Sequence, residues 1–150
     1  MTTQPNIHCL SISQSDFGRL HNGKNVQLFT LSNTQGTEVK ITNYGGIIVA
    51  LNTLDKHGIS ADIVLGYDDI SSYEADPYYL GAIIGRYAGR IDQGVLSING
   101  QQYQLSINNI DNQLHGGMQA LNKQLWQATT QSTTEKVSLI LQHSSPDGDN

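Results

Sequence analysis

Two segments of this chain hold side chains whose types and spacing suit chemistry. The first is Gly85-Arg86-Tyr87-Ala88-Gly89-Arg90-Ile91. The whole chain has only 8 Lys and Arg, so two arginines set among glycines and an aromatic stand out. A guanidinium presents a planar fork of donors that can hold carboxylates or neutral hydroxyls. The second is Asn112-Gln113-Leu114-His115-Gly116-Gly117, a histidine followed by two glycines in a loop. Backbone without side chains lets a ligand come close, and an imidazole near neutrality can donate to or accept from a sugar or carbonyl oxygen. On residue types alone, each segment also has a plainer reading. The arginines could make structural ion pairs or backbone contacts, and His115 could be an exposed loop residue.

Other chemistries find little support. His8, His21, His57 and His143 read as ordinary surface or strand residues. No histidines stand at i, i+4 or beside carboxylates at ligand spacing, so no metal site is expected. There is no G-x-S-x-G elbow and no phosphate-cradling loop that opens a helix. Gly81, Gly85 and Gly89 read instead as bends or close approaches in β-structure.

The elements that must position these residues are strands. Ile, Val, Thr and Tyr are frequent, 15 glycines punctuate the chain, and no segment sustains helical apolar spacing. Strands are predicted at 25–32, 38–43 and 47–54, with Gly45-Gly46 as a break or bulge and Asp55-Lys56-His57-Gly58 as a turn. A short strand is expected at 62–66 and a loop at 71–79. The apolar run 80–84 is expected to be buried on both faces. The clearest signal is a hairpin over 95–107, where Leu96 and Ile98 alternate with Ser97, Asn99-Gly100 turns the chain, and Tyr103, Leu105 and Ile107 alternate on return. After a polar loop at 108–112, strands follow at 125–129 and 136–143, with Trp126 expected in the core.

Composition bounds the class. At 150 residues the chain is one domain or part of one, with a net charge of −5 and 14% charged residues. So sparse a cationic complement excludes an electrostatic footprint for nucleic acid. Mean hydropathy is −0.33, and no apolar run approaches the roughly 18 residues of a bilayer span. The N-terminal residues show neither the basic nor the apolar region of a secretory signal, and Cys9 is the lone cysteine, so a reducing, cytoplasmic location is expected. The last predicted strand runs into Ser145-Pro146-Asp147-Gly148, strong turn chemistry that normally delivers a returning strand. The expectation is that residues 1–150 are the N-terminal part of a single larger domain.

Read in order, these segments resemble one family. They are Asn43-Tyr44-Gly45-Gly46, Asp62-Ile63-Val64-Leu65-Gly66-Tyr67-Asp68, Gly85-Arg86-Tyr87-Ala88-Gly89-Arg90-Ile91, Tyr103-Gln104-Leu105, Leu114-His115-Gly116-Gly117, Leu125-Trp126 and Ser145-Pro146-Asp147-Gly148. Their order and spacing resemble the aldose 1-epimerases, or galactose mutarotases, over roughly residues 20–150. That is the N-terminal half of the family's domain. The resemblance implies a large twisted antiparallel β-sandwich and interconversion of the α and β anomers of aldohexoses such as galactose and glucose. It implies no metal or organic cofactor. It places the principal acid, a histidine, and the base, a glutamate, C-terminal of residue 150. Arg90 matches the family's sugar-binding arginine. His115 matches a histidine near the ring oxygen, with a binding and auxiliary catalytic role. Gly89 departs from the family's usual Asn, which puts one side-chain bond to the sugar in doubt. The expected partners are a small-molecule aldohexose and a further polypeptide that completes the sheet, with no nucleic acid and no membrane. The alternative is a carbohydrate-binding or inactive piece of the same fold.

Overall fold

A computed structural model describes residues 9–148, which leaves His8 outside the described residues. The chain forms a meander of five antiparallel strands: β1 (Ser11–Arg19), β2 (Asn25–Ser32), β3 (Glu38–Thr42), β4 (Ile48–Leu54) and β5 (Ser60–Asp62). Each tight connection has a local cause. Between β2 and β3, the Asn33 carboxamide oxygen accepts from Gln35 N and Thr37 N at 2.9 Å each. Between β4 and β5, the Asp55 carboxylate accepts from His57 N and Ile59 N at 2.8 Å each. Short Asx side chains that bond the backbone two or more residues on make such turns without a partner strand.

The antiparallel, mostly β reading holds, and the helical exceptions among the described residues are short: two 3-10 turns, at Asp92–Gly94 and Leu121–Lys123, and one α-helix. The first part of the loop expected at 71–79 belongs instead to helix α1 (Ile70–Ala75). Asp69 caps it and accepts from Ser72 N at 2.9 Å. Six residues are too few for a periodic signature, so the cap was its only sequence signal. Strand β1 was not anticipated either, because its sequence is mostly Ser, Gln and Asp. The strand expected at 62–66 is displaced to β5, where Asp62 ends the pairing and its carboxylate accepts from Leu51 N and Val64 N at 2.9 and 3.1 Å.

Residues 80–84 are corrected more substantially. They form no strand, and Ile83 is 38% exposed. Tyr79 and Gly81 adopt φ of 60° and 64°, which breaks the extended run. The segment is instead tied by Ile48 N donating to Gly81 O and Ile83 N donating to Gly45 O, each at 3.0 Å.

The core lies where α1 meets the start of the meander. Leu20, Val26, Tyr44, Ile47, Ile70 and Tyr73 are buried together. The Tyr73 hydroxyl, deep in this cluster, accepts from Tyr67 N at 2.9 Å, and the two rings meet edge to face at 5.1 Å. Burial pushes the Tyr44 phenol up to about 12, with the Glu74 carboxylate adding to the effect. Both phenols therefore stay neutral at ordinary pH.

Beyond the core come β6 (Arg90–Ile91), the hairpin β7 (Val95–Ile98) and β8 (Gln101–Gln104), then β9 (Gln113–Leu114), β10 (Gln127–Ser132) and β11 (Val137–Gln142). Hairpin β7–β8 turns at Asn99 and Gly100, with φ of 51° and 81°, the doubly left-handed turn the dipeptide predicts. Strand β6 pairs with β9, and β10 with β11. Trp126, expected in the core, is half-buried. Its indole N–H donates to Leu121 O at 3.1 Å, and its ring packs on His143 at 5.6 Å.

Candidate functional site

The shortest ribbon of the fold positions the two residues of interest. In β6–β9, Arg90 pairs with Leu114 and Ile91 with Gln113, antiparallel. The pairing continues one residue further, where His115 N donates to Gly89 O at 3.0 Å. The two segments singled out in the sequence, 25 residues apart from Arg90 to His115, are thus brought side by side.

Local geometry then fixes the imidazole. Gly89 N donates to His115 Nδ1 at 3.1 Å. Because Nδ1 accepts, the neutral ring carries its proton on Nε2, which has no partner among the described residues. His115 sits at φ 55°, left-handed for a residue with a side chain. The Tyr79 ring and the imidazole pack edge to face, with centroids 4.8 Å apart. Asn108 braces the same loop. Its Oδ1 accepts from Leu114 N at 2.6 Å and its Nδ2 donates to Leu114 O at 2.9 Å.

Glycine is required at Gly116. A Cβ there would lie 2.1 Å from Gly85 O, and φ is 96°. This contact presses the loop after His115 onto the segment that starts the two-arginine motif. Gly89 has a different reason. A Cβ would meet nothing closer than Tyr87 Cε1 at 3.9 Å, yet φ is 102°. The space for a side chain is open, and the backbone conformation is one that side chains rarely adopt.

The two arginines divide. Arg86 is committed to structure. Its Nε and Nη2 donate to Ser145 Oγ at 3.1 and 2.7 Å, and Nη2 also donates to Pro146 O at 2.7 Å. Arg90 is exposed, and among the described residues it donates through Nε alone, to Asn109 Oδ1 at 3.0 Å. The ion pairs among the described residues, His21–Glu74 and Lys40–Glu38, do not involve it. Its terminal guanidinium nitrogens bond to nothing among the described residues.

Ile91 and Gln113 line an apolar cavity of about 180 Å³, with Arg86, Leu96, Leu105 and Leu121. Neither Arg90 nor His115 lines it. Among the described residues, no three of His, Cys, Asp and Glu gather where they could hold a metal ion. Tyr79, Asn108 and Asn109 were missed in the sequence, since none belongs to a motif or a periodic run.

The molecule is an antiparallel β protein in which a short two-stranded ribbon brings the segments of Arg90 and His115 side by side. The solved galactose 1-epimerase from Lactobacillus acidophilus shares the fold, with a TM-score of 0.78 and 27% identity over 93% of this chain and 40% of that one. The chain belongs to the aldose 1-epimerase family, whose sequence pattern matches residues 27–150. It is 37% identical to the galactose mutarotase of Bos taurus over 141 residues, and 31% identical to a maltose epimerase of Levilactobacillus brevis over 140. Each alignment takes in 93% of this chain. The chain spans about 40% of the length of these curated relatives.

Proposed function

We propose that the chain supplies the sugar-holding edge of an aldose 1-epimerase acting on aldohexoses such as galactose and glucose. The observation that carries this reading is the β6–β9 register. It sets Arg90 beside Leu114-His115 and leaves the Arg90 terminal donors and His115 Nε2–H without partners among the described residues.

The chemistry needs two proton transfers. A base removes the proton of the anomeric hydroxyl while an acid protonates the ring oxygen. The bond from C1 to the ring oxygen breaks and an open-chain aldehyde forms. Rotation about C1–C2 exposes the other carbonyl face. Closure reverses both transfers, so no atom is gained or lost. Arg90 holds sugar oxygens through the turn and stabilises developing alkoxide charge. His115 donates from Nε2 to the ring oxygen or a neighbouring hydroxyl, an auxiliary part. The principal acid His and base Glu are assigned C-terminal of residue 150 by the resemblance to the family. The compartment in this reading is the cytoplasm, and the reaction draws on no metal or organic cofactor.

One observation favours a second reading, sugar binding without turnover. Among the described residues no carboxylate hydrogen-bonds or ion-pairs with Arg90 or His115. Polarimetry and sugar titration separate the two. The 150-residue chain is expected to bind galactose weakly, seen as shifts of the Arg90 and His115 signals in NMR, with mutarotation near the buffer rate. Supplying the remaining family segment should raise the rate. Arg90→Ala and His115→Asn should then each lower it by about 10²-fold. Unchanged rates in both variants would remove these residues from the site.

A further inference from the structure

We infer that Asn108 is a positioning residue for His115: its side-chain amide grips both backbone groups of Leu114 and so sets where the imidazole meets Gly89. The inference rests on the proposed function for its consequence, but not for its geometry.

Three observations carry it. The amide of Asn108 serves Leu114 completely, with N–H into Oδ1 at 2.6 Å and Nδ2–H onto the carbonyl at 2.9 Å. Only a primary carboxamide offers a donor and an acceptor side by side in that geometry. Strand β9 has two residues, so its ladder with β6 is too short to hold register by itself. The next residue, His115, is left-handed at φ 55°, a conformation that persists where its surroundings over-determine it. Asn108 Nδ2 also lies 3.5 Å from the Tyr79 hydroxyl, and the Tyr79 ring packs edge-on against His115. One side chain therefore touches the backbone before the histidine and the ring beside it.

The result is a reciprocal lock. His115 N donates to Gly89 O, and Gly89 N donates to His115 Nδ1. A loop that shifts breaks the second bond, and the ring is then no longer held in one orientation with Nδ1 occupied. The aim of the Nε2–H donor would be lost without any change at Arg90 or His115 themselves.

Amide exchange followed by NMR in the 150-residue chain tests this directly. Gly89 has no bond to residue 108, so its protection reports on His115 alone. In Asn108→Ala and in Asn108→Asp, whose second oxygen would oppose the Leu114 carbonyl, exchange at Gly89 N–H should rise by about tenfold or more, while β2 amides keep wild-type protection. Loss at Leu114 with Gly89 unchanged would overturn the proposal. So would loss of β2 protection in both variants, which would make Asn108 a residue of the whole fold. A second arm uses galactose affinity. Asn108→Ala should weaken binding in the parent chain and not in a His115→Asn background. Equal weakening in both would also overturn the positioning role. Failure of the parent chain to bind galactose, with Gly89 responding as expected, would defeat the functional reading and leave the positioning intact.

Discussion

Single atoms decide much at the residue scale. A methyl group at Gly116 would collide with Gly85 O at 2.1 Å, and both atoms belong to backbone that is fixed on either side. Gly116→Ala should destabilise the chain by about 1–3 kcal/mol in urea unfolding, the usual cost of overpacking, and should shift the His115 ring signals. Wild-type stability with unmoved signals would contradict the close approach. Tyr73 offers a second check. Tyr73→Phe keeps the ring and leaves the Tyr67 N–H, now bonded at 2.9 Å, without its acceptor. The expected loss is about 1–3 kcal/mol. The segments of Arg90 and His115 stood out in the sequence because arginine is scarce here and both residues sit among glycines. Asn108 and Tyr79 did not, because an amide in a polar loop and a tyrosine after a proline look like any other until the fold brings them to the histidine.

At the scale of elements, helix α1 gives a pH-dependent prediction. Hydrogen bonds from Ser71 and from Ser72, through its backbone N–H and hydroxyl, hold the Asp69 carboxyl down to about 2 from its usual 3.8. A depressed carboxyl stabilises the folded state while it is ionised. That contribution is whole above about pH 4 and is lost as pH falls through about 2. Asp69→Asn keeps an oxygen for the cap and removes the titration. Its thermal unfolding should therefore vary less between pH 4 and 2 than that of the parent chain, and an identical pH profile would show that the cap bonds do not matter to folding. Elements were legible where alternation or a turn dipeptide marked them, as in hairpin β7–β8. Strand β1 escaped because only Ile12 and Phe17 break its polar run, and pairing with β2 rather than its own pattern makes it a strand. Residues 80–84 misled for the opposite reason, being apolar enough for a buried strand but bent by left-handed turns at Tyr79 and Gly81.

The whole molecule shows much apolar surface. Ile110 is 89% exposed and Leu65 77%, with Ile63, Tyr78 and Met118 also largely open to solvent. Strands β1 and β5 are the outer members of their sheet, with one side of each ladder unpaired within it. Unpaired edges beside exposed apolar side chains favour association. The 150-residue chain alone is expected to bind an apolar dye and to self-associate with rising concentration in sedimentation runs. A monodisperse monomer that leaves the dye dark would refute this. Fold class was legible at this scale because composition and turn chemistry act over the entire chain. The pairing of the Arg90 segment with the His115 segment was not, since a ladder of two residue pairs leaves no pattern to read.

That brief ladder has an evolutionary consequence. Everything between Ile91 and Gln113 is an excursion anchored at both ends by the ribbon and its Asn108 brace, and its tip at Asn99-Gly100 lies in solvent. Insertions at such a tip are entropically cheap, about 0.6 kcal/mol for each doubling of loop length. Lineages are therefore free to lengthen, shorten or redecorate the hairpin while the arginine and histidine stay in place. A fold of this kind can vary the hairpin by drift without disturbing the ribbon that pairs Arg90 with Leu114.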